Sequence, residues 1–202
     1  MKNTERSEHQ RDSILDVARN MFAAKGFEAT TTREINKELG IADGLLYYYF
    51  PHGKQEILDT IVHQGIAERV NDIQINFADA QSVGELELQL MDFFDRIWRL
   101  FSSDDNYESF IITIRERMLL SDDESSWLSV ITEHIQNNIG HALEDVADIV
   151  DCDQTEVMTM AAIIMSIFQR TLYDVLLVKN QREVSMATRT MVQGEIHFLL
   201  NK

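Results

Sequence analysis

One proline in 202 residues is the feature that most constrains what this chain folds into. Proline and glycine are the main breakers of helices. Here Pro51 and eight glycines are all there are, while alanine, leucine, isoleucine, glutamate and glutamine abound. No stretch shows the period-2 alternation of a half-buried strand. The expectation is an all-α protein of about nine helices. A hydrophobic content of 45% and a charged content of 26% fit a folded chain rather than a disordered one.

The periodicity then places the helices. Ile14, Leu15, Ala18, Met21 and Phe22 recur at helical spacing and Gly26 follows as a C-terminal cap, giving a helix over 8–25. Thr31 with Glu34 is a capping box that opens a short second helix, its Ile35 and Leu39 facing inward. Gly40 ends that helix in the left-handed conformation glycine tolerates. A third helix over 43–50 stops at Pro51 and Gly53. From Lys54 an apolar stripe through Ile57, Leu58, Ile61, Val62, Ile66, Val70 and Ile73 predicts a connecting helix over 54–76, roughly 35 Å long. Further helices are expected over 85–101, 107–120, from a capping box at Ser121 and Glu124 to about 150, and over 153–178 and 182–200.

Charge narrows the partners. The net charge is −16, which does not suit a protein gripping nucleic acid over its whole surface. The charge is uneven, however. Residues 1–63 carry 8 Lys/Arg against 10 Asp/Glu, whereas 64–202 carry 10 against 24. An anionic partner is therefore met by the first third of the chain, through local geometry, while the acidic remainder stays away from it. Cys152 is the sole cysteine, so a reducing compartment is expected. The opening "MKNTERSEHQRDS" is too polar for a secretory signal. The most apolar run, 157–168, falls short of the roughly 20 residues that span a bilayer. These features lead us to expect a cytoplasmic protein with no membrane partner.

Two short helices joined by a glycine-containing turn are the sequence form of a helix-turn-helix, in which the second helix enters the DNA major groove. The residues at 31–54 suit that task. Thr31, Thr32 and Arg33 open one helix, where hydroxyls and backbone N–H groups meet phosphate. For Thr31 a purely capping role stays open, and for Arg33 a solvated charge. Gly44 allows close backbone approach. On a helix Leu46, Tyr49 and Phe50 share one face, which leaves Tyr47 and Tyr48 looking outward toward sugar and phosphate. Leu45 either touches a thymine methyl or only covers the helix. Lys54 opens the next helix beside another free N-terminus.

At this point "TTTREINKELGIADGLLYYYFPHGKQEIL", residues 30–58, resembles the DNA-binding domain of the TetR family of transcriptional regulators. The matching positions are Thr31, Thr32, Gly40, Gly44, Leu46, Tyr47, Tyr49, Phe50 and Lys54, supported by "ILDVARNMFAAKGFEATT" in the first helix. The resemblance covers about 10–62. It implies a DNA-binding domain over 8–53 and an effector-binding and dimerisation domain over 54–202. It also implies a homodimer joined through helices within 153–200, a palindromic operator of double-stranded DNA, and a small-molecule effector. Three positions depart from the family pattern. Asn36 stands where alanine is common, Ala42 where serine or threonine caps the recognition helix, and Asp43 where a polar or basic residue is usual. Asp43 has two roles open to it, capping the helix or accepting a hydrogen bond from cytosine N4.

The rest of the chain carries less. Phe94, Trp98, Phe101, Phe110, Ile114, Met118, Trp127 and Ile131 form an apolar stripe, read as core with part of it lining a largely apolar effector pocket. Arg115 and Arg117 are expected to be solvated or ion-paired. His134 and His141, two turns apart, make no tight metal pair, and neither a cofactor nor a metal is expected. There is no H-E-x-x-H, phosphate loop or nucleophile elbow, so no catalytic residue is assigned and no enzyme is expected. The leading expectation is a ligand-responsive DNA-binding repressor. The alternative is a helical protein-interaction module with a weakened DNA head, favoured by Ala42, Asp43 and the acidic body.

Overall fold

The computed structural model describes residues 2–64, 75–120 and 122–201. Those residues form helices joined by turns and short loops, with no strand among them. The helices are α1 (Lys2–Lys25), α2 (Thr32–Leu39), α3 (Asp43–Tyr49), α4 (Lys54–Val62), α5 (Val83–Leu100), α6 (Asp104–Arg115), α7 (Asp122–Glu144), α8 (Ala147–Val150), α9 (Gln154–Leu172) and α10 (Met186–Leu200). A 3-10 turn, Arg117–Leu119, follows α6, and α9 widens into a π-helix over Tyr173–Val178. The chain is thus all-α, with ten α-helices among the described residues.

Boundaries shift where local pattern and packing differ. The first helix starts at Lys2, six residues before the expected start at 8, because its leading turns carry no apolar stripe to mark them. The helix expected to run to 150 ends at Glu144 and resumes briefly as α8, with Asp151 in the left-handed region at φ 49°. Of the expected connecting helix, α4 accounts for Lys54–Val62, and 65–74 lie outside the described residues. The capping serine expected at Ser121 also lies outside them.

The chain forms two compact units. The first comprises Met1–Arg69 and Ser103–Trp127, the second Val70–Ser102 and Leu128–Lys202. α6 therefore packs with α1 to α4 in the first unit. The reason is visible in the core. Ile112 of α6 and the following Leu120 are buried with Ile14, Phe22, Ile35, Leu46, Phe50, Ile57 and Ile61. Polar bonds reinforce this seam. Arg115 Nη1 donates to the Ala23 carbonyl at 2.8 Å, and the Phe27 N–H donates to Glu116 Oε1 at 3.1 Å. Arg115, expected to be solvated or ion-paired, thus serves the carbonyl end of α1, where a cation also complements the helix dipole.

The second unit is built around aromatic rings. Phe168 of α9 packs on Phe94 at 5.1 Å and on Phe93 at 5.9 Å between centroids, and Trp98 bridges Phe94 and Phe101. α10 is tied to α5 by a bidentate Arg189–Asp95 pair, Nε to Oδ1 at 3.0 Å and Nη2 to Oδ2 at 2.8 Å. Glu87 accepts from Gln193 Nε2 and pairs with the His197 ring. Those bonds, Gln193 first, hold the Glu87 carboxyl below its usual range against the opposing effect of burial. The stretch Gln154–Val178 is long and apolar enough to cross a bilayer by length and composition, which the 12-residue run alone did not suggest. Its Val157, Met160, Ala161, Ile164 and Phe168 are nevertheless buried inside this unit.

Candidate nucleic-acid interface

The α2–turn–α3 segment is shaped by three local devices. The Thr31 hydroxyl accepts from the Glu34 N–H at 3.2 Å, while the Thr31 N–H donates to Glu34 Oε2 at 2.8 Å, which completes the capping box. Lys25 Nζ donates to the other Glu34 oxygen at 2.6 Å. The Lys25 ammonium, with the N–H and hydroxyl of Thr31, holds the Glu34 carboxyl well below the usual range, at about 2. At the far end Gly40 adopts φ 64°, ψ 31°, and the Ile41 N–H returns to the Asn36 carbonyl. This left-handed turn ends α2 and re-aims the chain into α3.

α3 then divides as helical geometry requires. Leu46 and the adjoining Phe50 are fully buried, and Tyr49 is partly buried, its ring edge-on to Tyr48. Tyr48 is 74% exposed and Tyr47 49%. Asp43, Gly44 and Ala42 are exposed and Leu45 is half-buried. A Cβ at Gly44 would meet nothing within 4 Å, so this side of the helix is open to the approach of a ligand backbone. The hydroxyl end of the Tyr47 ring passes close to Gly53, whose φ of 66° and ψ of −136° suit glycine alone and where a Cβ would lie 3.1 Å from the ring's Cε1.

Other expected site residues are placed differently. Thr31 is exposed but its hydroxyl is engaged with Glu34; Arg33 is exposed and Thr32 half-buried. Lys54 does not stand free at the edge. Its Nζ donates to the Phe27 carbonyl at 2.8 Å and lies 4.0 Å from the centroid of the Phe27 ring. The start of α4 is also partly occupied, because Glu56 Oε2 accepts from the His52 N–H.

The pairing that sequence reasoning missed joins two of the three departures from the family pattern. Asn36, 2% exposed, donates from Nδ2 to Asp43 Oδ1 at 3.0 Å. Asp43 does not cap α3: the N-cap residue is Ala42, and no side chain caps that helix. The available signal was an amide beside buried Ile35 on a helix that meets a turn.

The expected effector stripe is divided between the two units. Phe94, Trp98 and Phe101 are buried together in the second, where the Trp98 Nε1 has no hydrogen-bond partner among the described residues. Phe110 and Ile114 are half-buried on α6 in the first unit, and Met118 is 92% exposed in the turn that follows. The side chains of Trp127 and Ile131 lie outside the described residues. His134 and His141 are exposed, bonded to Asn138 and Glu144.

Residues 14–61 match the family described as "Bacterial regulatory proteins, tetR family". The chain is 38% identical over 56 residues to the uncharacterised HTH-type transcriptional regulator YxaF of Bacillus subtilis, covering 27% of this chain and 29% of that protein. It is 38% identical over 52 residues to the HTH-type transcriptional repressor KstR2 of Mycolicibacterium smegmatis, covering 26% and 25%. The match thus spans little more than a quarter of these curated relatives. The whole fold is shared more widely. A tetR-family regulatory protein from Rhodococcus RHA1 superposes with a TM-score of 0.66 over 94% of each chain, at 21% identity. Residues 14–61 thus match the tetR family of bacterial regulatory proteins by sequence, and the chain as a whole shares the fold of a solved tetR-family protein.

Proposed function

We propose that this protein is a sequence-specific DNA-binding transcriptional regulator, acting as a ligand-responsive homodimeric repressor on a palindromic operator. The observation that carries the reading is the division of α3. Leu46 and Phe50 are locked into the core, while Asp43, Gly44, Tyr47 and Tyr48 form an exposed face beside an open helix surface. An α-helix presented in this way fits the major groove, its first residues toward base edges and its tyrosines toward sugar and phosphate. Thr32 and Arg33 at the start of α2 meet the flanking phosphates, and Thr31 orders that helix end. Ala42 and Leu45 flank the reading residues. Lys54 braces the Phe27 loop that carries α2 and offers phosphate only the donors its bond to the Phe27 carbonyl leaves unused.

Dimerisation is supported by what α9 and α10 leave uncovered. Ile163, Met186, Met191 and Phe198 are large apolar side chains, 40% to 83% exposed, on the two helices that the family pattern assigns to the subunit interface. A two-fold dimer sets its recognition helices about 34–36 Å apart, one DNA turn. The effector, largely apolar, is assigned to the aromatic cluster of Phe94, Trp98 and Phe101.

The test is selection of bound DNA from a random duplex pool by the wild type and by Tyr48→Ala. Enrichment of one palindrome, weakened in the variant and falling steeply with salt, is the expected result. A folded protein that enriches nothing would overturn the DNA-reading function and favour a protein-interaction role.

A further inference from the structure

Asp43 is an unusual residue to present to a polyanion, and its surroundings show what it is held for. It is the first residue of α3, and it is exposed. A carboxylate there repels phosphate, so its presence gains nothing from the electrostatic attraction that dominates DNA affinity. It complements the dipole of α3 as an anion in the first turn, but makes no capping hydrogen bond there among the described residues. Its one hydrogen bond among the described residues is from Asn36 Nδ2, at 3.0 Å to Oδ1.

The character of that partner matters. Asn36 is 2% exposed, and its own Oδ1 is buried with no partner among the described residues. The amide's single side-chain hydrogen bond is therefore the one to Asp43. A neutral amide fixes the direction of one carboxylate oxygen without neutralising the charge, as a lysine or arginine would. Oδ2 is left unengaged on the exposed side of the recognition helix.

We propose that Asp43, positioned by Asn36, reads a cytosine through its N4 amino group in each operator half-site. The inference rests on the DNA-reading function proposed above. A carboxylate only accepts hydrogen bonds. In the major groove guanine presents two acceptors and thymine an acceptor beside a methyl, both unfavourable to it. Adenine offers an amino donor, but the N7 acceptor stands next to it. Cytosine alone presents an amino donor with no adjacent acceptor on the same base. Asn36 is a positioning residue here and touches no base itself.

The experiment uses the full chain and a random duplex pool, comparing the wild type with Asp43→Ala, Asp43→Asn and Asn36→Ala. The wild type is expected to select cytosine at one position of each half-site. Asp43→Ala should lose about tenfold discrimination at that position and keep the others. Asp43→Asn should move the preference toward adenine, whose donor and acceptor suit an amide. Asn36→Ala should weaken the same position while Tyr48-dependent affinity persists, a pattern that a merely structural role would not produce. The exposed Asp43 variants carry the test if Asn36→Ala folds poorly. An Asp43→Ala protein that selects the wild-type base at every position overturns this inference alone. A wild type that enriches no motif overturns the DNA-reading function and the inference with it.

Discussion

Asn36 and Asp43, seven residues apart on different helices, are joined by one amide-to-carboxylate hydrogen bond of 3.0 Å. The bond crosses the turn of the helix-turn-helix, so it fixes the angle between α2 and α3 as well as the carboxylate. A net contribution of about 1 kcal/mol is expected for such a bond. A double-mutant cycle of Asn36→Ala and Asp43→Ala in urea should return a coupling energy of that size. A coupling within error of zero would show that the two side chains do not hold each other in solution.

Gly53 leaves room for the hydroxyl end of the Tyr47 ring. Its φ of 66° and ψ of −136° are not available to a residue with a Cβ without strain, and a Cβ there would lie 3.1 Å from the Tyr47 ring. Gly53→Ala should destabilise the first unit by about 1–3 kcal/mol. It should also displace the Tyr47 ring. Thermal unfolding gives the first effect, and Tyr47 ring resonances in NMR spectra give the second. An unchanged midpoint would mean that the turn relaxes freely.

Acid sensitivity is expected from Glu34. Its carboxyl is held at about 2 in the fold, against 4.5 ordinarily, chiefly by Lys25 and then by Thr31. Because the native value is the lower one, the unfolded chain binds this proton first as pH falls. The stabilising contribution is complete above about pH 4.5 and is lost progressively as pH falls toward 2. The pair is solvent-exposed, so added salt should shrink the effect. Glu34→Gln should flatten the stability profile across that window, as measured by urea unfolding at a series of pH values. A variant whose profile matches the wild type would locate the acid sensitivity elsewhere.

Arg115 links α6 to α1 through the Ala23 carbonyl, at 2.8 Å, and its side chain is 43% exposed. Arg115→Ala should lower the stability of the first unit by about 0.5–1 kcal/mol, the sum of a partly hydrated hydrogen bond and a helix-end charge. Hydrogen exchange at the last turn of α1 should rise with it. Exchange that speeds up uniformly along the chain would instead point to global destabilisation.

The sequence by itself determined the helical class and most of the helix-turn-helix segment, because the signals involved are local. Breakers and capping boxes act over three or four residues, so Thr31 with Glu34, the left-handed Gly40, and the stops at Pro51 and Gly53 could be read in order. Helical periodicity likewise separated buried Leu46 and Phe50 from exposed Tyr47 and Tyr48. Only the tertiary structure decided where long polar side chains spend their hydrogen bonds. Lys54 turned to a carbonyl 27 residues away, and Arg115 to one 92 residues away. Asp43 accepted from α2 instead of capping its own helix. It also decided which unit α6 joins and that Met118 lies in solvent. Such outcomes depend on which unsatisfied groups a folded neighbour brings within about 3 Å, and no spacing along the chain encodes that distance.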